Sequence, residues 1–297
     1  MPLIGEPFNK LLDVASDARS RGKSWRSIAF ALETAWFDRE GRRTNKSISQ
    51  LLGSTFLTGI PDYFSISEQN IIDIRKRVDG AGSGYPVLQL KLSVGSLERD
   101  VAQVTAILEM ITDSQIVLAD ANGGWAVTEA CKIIGCFDDH RLIWEEPCTT
   151  YDDNVNIAKE TGCDIMLDQC IGDSELAIRA INEGVAKYVC IKPVALGGLS
   201  IARQIRDHAI EAGMQVRIDG PWCGDIASAA ILHLAAGMPE HLLICGCDLR
   251  EPVAMPFNLN GVRKLEGNMI APPQGSGLGI ALTNNIPGTP ERSFTAK

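Results

Sequence analysis

From about residue 60 onward, the chain repeats one pattern of short apolar segments and amphipathic helices. Each apolar segment is rich in β-branched residues and ends in a polar residue, as is typical of a buried strand. Strands that alternate with helices at this pace are parallel, with right-handed crossovers. The predicted strands are Tyr63–Ser67, Val87–Ser93, Gln115–Asn122, Leu142–Pro147, Asp164–Gln169, Lys187–Pro193, Gln215–Gly220 and Leu242–Leu249. Eight such strands favour a closed α/β barrel, with a doubly wound open sheet as the alternative.

The segments on either side of this repeat have a different character. Residues 1–60 are predicted to be helical, because Ser24–Arg39 carries apolar residues at helical spacing. Gly41 then predicts a break, and a second helical piece runs through Gly53. Residues 251–297 are rich in Pro and Gly and predict an irregular cover. We therefore expect a barrel over residues 61–250, with both flanking segments packed against it.

Charged residues recur at the ends of consecutive predicted strands. Asp120 and Glu145 lie 25 residues apart, and Asp168 lies 23 residues beyond Glu145. Lys192 follows 24 residues after Asp168, so that each interval equals one strand-plus-helix unit. Consecutive barrel strands therefore deliver these groups side by side at the carboxyl-terminal rim, where barrels of this kind form their active sites.

Three neighbouring carboxylates indicate a metal site. They cannot all stay ionised in a partly desolvated site without a counter-charge. Because Asp120, Glu145 and Asp168 offer only oxygen ligands and no histidine lies nearby, they favour Mg²⁺ or Mn²⁺ over zinc. For any one of these carboxylates, a solvated strand end or a helix cap is the alternative. The repeated spacing favours the metal site for the three together.

Two lysines flank the carboxylates in this scheme. Lys91 ends the second predicted strand and Lys192 ends the sixth, so the two lie opposite each other in an eight-stranded ring. A lysine inside an apolar strand costs free energy unless it is paired or functional, although a surface lysine at a strand end is the alternative. Burial and a nearby cation both disfavour the ammonium form, which predicts a base that works near neutral pH.

The overall composition excludes several classes of function. The net charge is −9 and no basic run stands out, which argues against a nucleic acid or an anionic membrane as partner. No apolar stretch reaches the roughly 18 residues of a membrane span, and the N-terminus lacks a signal peptide. The nine cysteines lie mostly in apolar runs without a paired framework, which favours reduced thiols in a cytoplasmic protein.

Five motifs occur in the order and spacing of a known family. They are Ala31–Asp38, Leu118–Trp125, Trp144–Pro147, Leu167–Gln169 and Lys192–Gly198. Together they resemble the mandelate racemase and muconate-lactonizing branch of the enolase superfamily. The resemblance implies a modified TIM barrel, (β/α)7β, with a partial and mostly helical capping domain. It also implies Mg²⁺ bound by Asp120, Glu145 and Asp168, an enolate intermediate, a small carboxylate-bearing substrate and a homo-oligomer.

A later segment resembles one group within that branch. Asp219–Ile226 and His233–Ala236 are similar to the hydroxyproline dehydratase and proline-betaine epimerase relatives. This resemblance implies dehydration or epimerisation of a proline-type substrate, with Asp225 and His233 in structural roles. The supporting residues that it indicates around the site are Gln89, Asn122, Glu146, Asp219 and Trp222.

The chain departs from the family pattern at two places. Gln89 stands where the first lysine of the K-x-K motif is usual, so any pKa lowering on Lys91 depends more on the metal and on burial. The chain also begins near the first capping helices, and we expect the strand-rich part of the capping domain to be truncated. Two rival readings stay open: a Schiff-base aldolase that uses Lys192, and a barrel without catalytic activity.

Overall fold

The computed structural model describes residues 8–53, 57–220, 224–246 and 263–280. Its centre is a nearly closed barrel of eight parallel strands, which neighbour each other in chain order. The barrel strands are β2 (Tyr63–Ile66), β3 (Val87–Lys91), β4 (Ile116–Asp120), β5 (Leu142–Glu145), β6 (Ile165–Leu167), β7 (Tyr188–Ile191), β8 (Gln215–Ile218) and β9 (Leu243–Gly246). All eight lie within the predicted strands, and the α/β barrel is confirmed.

Helices follow the first seven of these strands. They are α4 (Ile71–Arg77), α5 (Leu97–Leu108), α6 (Val127–Ile134), α7 (Tyr151–Thr161), α8 (Ser174–Glu183), the one-turn α9 (Pro193–Leu196), α10 (Leu199–Glu211) and α11 (Asp225–Ala235). With β9 as the last strand, this arrangement is the predicted (β/α)7β barrel. Within the described ranges, no helix has both the length and the apolar character that a membrane span needs.

Local sequence signals fix the ends of several barrel helices. The hydroxyl of Ser96 accepts the N–H of Arg99 at the start of α5, and Thr150 does the same for Asp153 in α7. Such caps satisfy N–H groups that have no partner within the helix. Gly162 ends α7 with a φ of 69°, a conformation that glycine adopts without steric cost. The turns at both ends of α7 are therefore set by the residues that form them.

The N-terminal region is helical, as predicted, but its boundaries differ from the prediction. It contains α1 (Lys10–Ser20), α2 (Lys23–Thr44) and the short α3 (Ile48–Leu51). The predicted break at Gly41 is wrong, because α2 continues through it. A Cβ at Gly41 would lie 2.6 Å from both the Cα of Gly277 and the carbonyl oxygen of Lys46. Glycine is needed here for close backbone contact rather than for a helix end.

The C-terminal segment is partly regular, in contrast to the irregular cover that its composition predicts. Residues 263–271 form the antiparallel pair β10 (Arg263–Leu265) and β11 (Met269–Ala271). The second of these strands also pairs with β1 (Ile60–Pro61), just before the barrel begins. The segment thus joins the entrance of the barrel through a small three-stranded sheet. The rest of residues 251–297, apart from 272–280, lies outside the described residues.

Candidate active site

The interior of the barrel has two levels, because side chains alternate between the two faces of each strand. The lower level is a buried and mostly apolar cluster, formed by Tyr63, Val87, Leu118, Ile143, Met166, Cys190, Ile244 and Cys245. Two residues further along five of these strands, the same alternation places polar or charged side chains: Gln89, Asp120, Glu145, Asp168 and Lys192. The chain therefore collects its charges at the carboxyl-terminal rim.

Two of the predicted metal ligands are direct neighbours. Asp120 on β4 is aligned with Glu145 on β5 in the strand register, and both side chains are buried. The amide of Gln89 on β3 donates to Asp120 Oδ2 and to Glu145 Oε2, each at 2.9 Å. Gln89 therefore bridges the two carboxylates as a neutral donor, at the position where the family motif has a lysine.

The two predicted bases each form an ion pair with a predicted metal ligand. Lys91 Nζ contacts Asp120 Oδ2, and Lys192 Nζ contacts Asp168 Oδ2. The two lysine side chains are 30% and 24% exposed, whereas their carboxylate partners are buried. Because β3 and β7 are four strands apart in the barrel order, the amines lie on opposite sides of the rim. Each ammonium is open to solvent enough to meet a substrate.

Arg217 is a buried cation that the sequence reasoning missed. It lies on β8, is 1% exposed, and its Nη1 donates to both oxygens of Glu145 at 2.8 and 2.9 Å. Its Nη2 donates to Asp219 Oδ2 at 2.6 Å. The sequence does contain a signal for this residue, because Arg217 is a charged residue within an otherwise apolar strand. Its partner Glu145, however, lies 72 residues earlier, and only the folded barrel brings the two together.

The hydrogen bonds of Asp219 place it in this buried arginine network, although its charge also acts on Lys192. The hydroxyl of Tyr63 donates to both oxygens of Asp219 at 3.3 Å. The guanidinium of Arg217 lies over the Tyr63 ring, 4.3 Å from its centroid. The prediction of a supporting role for Asp219 thus stays a prediction, and its described contacts are those of a partner that fixes Arg217.

Two other predicted supporting residues shape the rim backbone. Glu146 accepts the N–H groups of Asp168 at 2.7 Å and Cys170 at 2.6 Å, so it holds the turn that follows β6. Asn122 accepts a hydrogen bond from Gln169 at 2.7 Å. Glu146 and Asn122 have positive φ values of 45° and 50°, a conformation that is uncommon outside glycine and that clusters at functional sites. Trp222 lies outside the described residues.

The pKa values of the three carboxylates are shifted in different directions by burial and by neighbouring charges. Burial and the charge of Glu145 raise the pKa of Asp120 to about 6, against the opposing effect of Lys91. Burial likewise raises the pKa of Asp168, although Lys192 lowers it. For Glu145, burial raises the pKa, but the charges of Arg217, Lys91 and Lys192 together outweigh burial, and the net shift is downward. The central carboxylate is therefore the one held most firmly as an anion.

The pKa of Lys192 moves opposite to the direction expected from burial. Burial lowers this pKa, but Cys190, Asp168 and Asp219 together outweigh burial and raise it. The expectation of a Lys192 base near neutral pH includes a bound cation beside it, and it stays a prediction. A cation bound by Asp168 would offset the charge of that carboxylate and lower the pKa of Lys192.

The carboxylates fit a hard divalent cation by their chemistry. Within the described residues, no three acidic, histidine or cysteine side chains already surround one common point where an ion would lie. Each carboxylate contacts a nitrogen of this chain instead. However, Asp168 Oδ1 is buried and has no hydrogen-bond partner, and all three groups are oxygen donors of the kind that Mg²⁺ prefers. A bound cation would satisfy this oxygen and offset the burial of Asp120 and Asp168.

Comparison with known proteins identifies the family. The family model described as enolase C-terminal domain-like matches residues 73–286. The chain belongs to the enolase superfamily. This match covers the barrel from its first helix onward and extends into the C-terminal segment. It confirms the resemblance on which the mandelate racemase and muconate-lactonizing assignment was based.

Several characterised relatives of the superfamily are similar to this chain. The cis-3-hydroxy-L-proline dehydratase of Roseibium aggregatum is 28% identical over 293 residues, which are 98% of this chain and 77% of the relative. The o-succinylbenzoate synthase of Bacillus subtilis is 28% identical over 77% of this chain and 60% of its own length. The hydrophobic dipeptide epimerase of Enterococcus faecalis is 28% identical over 69% of this chain and 59% of its own length. All three are enzymes.

Solved structures agree with this membership. A member of the enolase superfamily from Roseovarius nubinhibens is 28% identical and superposes with a TM-score of 0.85, over 98% of this chain and 79% of the other. Another member from the same organism, complexed with magnesium, is 28% identical with a TM-score of 0.83, over 94% and 76% of the two chains. The superfamily barrel is thus shared over nearly the whole described chain.

Proposed function

We propose that this chain catalyses Mg²⁺-dependent removal of the proton α to the carboxylate of a small amino acid. The observation that carries the proposal is the pair of Lys91 and Lys192 on opposite sides of one rim, each bound to a buried carboxylate, with Glu145 between. Metal with a lysine base is the known arrangement for enolisation chemistry in this superfamily. The reaction class is therefore that of a lyase or an isomerase.

Asp120, Glu145 and Asp168 are the residues that would hold Mg²⁺, or Mn²⁺ in its place. When bound, the cation supplies a Lewis acid that binds the substrate carboxylate and stabilises the negative charge of the enolate. Gln89 donates to two of these carboxylates and keeps both oriented. In the structure each of the three carboxylates contacts a nitrogen of the chain, so a bound ion would replace or share these contacts.

The proton chemistry belongs to the two lysines. One amine accepts the α-proton from one face of the substrate, and the other amine faces the opposite side. If the second amine returns a proton, the product is the epimer. If its proton instead assists departure of a β-hydroxyl group, the product is dehydrated. In both outcomes the first amine must be neutral and the second must carry a proton, so the charge of Asp168 beside Lys192 must be compensated if that lysine is the base.

The substrate class that we propose is a hydroxyproline or a proline derivative. Its support is the relative matched over 98% of this chain, a cis-3-hydroxy-L-proline dehydratase. The dipeptide epimerase shows that related barrels also act on amino acid derivatives of a different size. A cytoplasmic location, a homo-oligomeric state and the absence of nucleic-acid and membrane partners stay predictions for this chain.

The test is solvent deuterium uptake at the α-carbon, followed by NMR in D₂O with Mg²⁺. The panel contains both enantiomers of proline, the 3- and 4-hydroxyprolines and the proline betaines. We expect exchange with at least one member, its loss in EDTA, and its loss in the Lys91→Met, Lys192→Met double variant. Arg21→Met is the matched control, since Arg21 is about half exposed and forms an ion pair with the exposed Asp17 of α1. Absence of exchange and turnover across the panel contradicts the proposal.

A second reading is a barrel that binds no metal and performs no such chemistry. The observation that favours it is Arg217, which already engages both oxygens of Glu145. Calorimetric titration with Mg²⁺ and Mn²⁺ separates the two readings, because this alternative predicts no heat of binding. Borohydride trapping of a substrate adduct on Lys192 would instead indicate the Schiff-base aldolase.

A further inference from the structure

The loops that follow Asp168 and Lys192 are covered by the N-terminal helices. Lys192 leads directly into α9, where its carbonyl oxygen accepts the N–H of Leu196 at 3.0 Å. The helix α2 packs against α9. Gly172 ends the short turn that follows Asp168. The position of the Lys192–Asp168 ion pair therefore depends on what holds these two loops.

A single side chain of α2 joins the two loops. Arg26 Nη1 donates to the carbonyl oxygen of Gly172, and to the carbonyl oxygen of Ala195 at 3.2 Å. One of these carbonyls follows Asp168 and the other follows Lys192. Because a guanidinium is planar and presents donors in a fixed geometry, it sets the separation of the groups it bridges. Arg26 thus ties the backbone behind the acid to the backbone behind the amine.

Two more side chains hold the loop beyond Lys192. Glu33 of α2 is 3% exposed and accepts the N–H of Ser200, in the first turn of α10, at 2.9 Å. Its other oxygen accepts a hydrogen bond from Arg19 at 3.1 Å, and Arg19 Nε donates to the carbonyl oxygen of Gly197 at 3.0 Å. A carboxylate at a helix N-terminus satisfies free N–H groups and complements the helix dipole.

We propose that Arg19, Arg26 and Glu33, which we call the rim clamp, are positioning residues for Lys192. This inference rests on the proposed function, because it assigns the clamp to one of the two bases. The described hydrogen bonds of the three side chains, other than those among themselves, all go to backbone groups in the segments that follow Asp168 and Lys192, up to the first turn of α10. The clamp therefore fixes the amine that acts on one face of the substrate, while Lys91 on β3 is held by the barrel strand.

The first experiment compares α-proton exchange of the two enantiomers of the best substrate in D₂O. The enantiomer that loses exchange in Lys192→Met identifies the face served by Lys192. In Arg26→Met we expect its exchange rate to fall at least about tenfold, since small misplacements of a catalytic group have large effects, with the other enantiomer within about twofold. Arg26→Lys restores part of the loss, and Arg21→Met leaves both rates unchanged. Equal losses for both enantiomers in Arg26→Met would overturn the clamp.

The second experiment does not depend on activity. Amide hydrogen exchange, followed by mass spectrometry, is compared between the wild-type protein, Arg26→Met, Glu33→Gln and Arg21→Met. We expect faster exchange of peptides spanning residues 169–173 and 193–200 in the two clamp variants, and wild-type exchange in Arg21→Met. Unchanged protection of both peptides overturns the clamp. A wild-type protein without α-proton exchange defeats the proposed function instead, and the hydrogen exchange result then decides about the clamp alone.

Discussion

Replacement of Arg217 by methionine tests the buried charge network most directly. Arg217 is 1% exposed and serves two buried carboxylates, Glu145 and Asp219. Removal of one partner of a buried ion pair costs about 3–5 kcal/mol, because the remaining charge stays buried without compensation. Methionine keeps most of the stem volume, so the lost charge dominates the effect. For a chain of this size, such a loss lowers the Tm by roughly 6–20 °C.

The matched control is Arg206→Met, because Arg206 is equally buried but serves different partners. It donates to the carbonyl oxygens of Leu234 and Leu52, and its acidic partner Asp207 is 41% exposed. This variant therefore leaves neutral carbonyls without a partner, but no buried carboxylate. Its stability loss is expected to be independent of pH in the range where carboxylates titrate.

The assay is urea unfolding of both variants and of the wild-type protein, in EDTA, between pH 8 and pH 5. Among the groups that hold the pKa of Glu145 below its usual value of 4.5 against burial, Arg217 has the largest effect, and its removal raises that pKa. The folded variant then binds a proton that the unfolded chain does not, so its stability rises as the pH falls toward 4.5. The difference in free energy of unfolding between the wild-type protein and Arg217→Met should therefore become smaller toward pH 5. A difference in free energy of unfolding that stays constant with pH, or a loss of stability in Arg217→Met below about 1 kcal/mol, would refute this explanation.

Three further predictions concern other parts of the chain. In Gly198→Ala the new Cβ would lie 2.2 Å from Glu33 Oε2, so we expect the free energy of unfolding in urea to fall by about 1–3 kcal/mol. An unchanged free energy would show that the Glu33 side chain can move away without cost. His233 has a pKa lowered by burial, so the wild-type protein loses stability as the pH falls below 6.5, where the unfolded histidine binds a proton; in His233→Gln this part of the pH dependence should vanish, and its persistence would assign it to another group. Mg²⁺ at about 100 times its Kd should stabilise the wild-type protein against unfolding by about 2.7 kcal/mol, as measured by calorimetry. The Asp168→Asn variant should be stabilised much less. Equal stabilisation of the two proteins would exclude Asp168 as a ligand.

The barrel and the rim were predictable because their signals are local and periodic. Each strand segment is apolar and short, and the interval from Asp120 to Glu145 equals one repeat of the fold. Strand alternation then places the two carboxylates on the same interior face, as the register confirms. The motifs, including the one that begins at Lys192, indicated the family, and the family match over residues 73–286 confirms it.

Features that depend on contacts far apart in the chain could not be predicted in this way. The hydrogen bonds of Arg217 cross the barrel to Glu145, and no local pattern encodes that pairing. Gly41 signals a helix end by composition, but the close approach of Gly277 explains the glycine instead. The raised pKa of Lys192 depends on how near Cys190, Asp168 and Asp219 lie, and the spacing in sequence does not reveal how close Asp168 and Asp219 come.

The apolar lower level of the barrel interior determines from which side solvent, ions and substrate reach the charged rim. Its side chains, such as Leu118 and Met166, are fully buried and close the barrel from below. Within the described residues, the charges of the rim are therefore reached from above, through the side on which the two lysines are partly exposed. Ion, substrate and released water must pass through this same mouth.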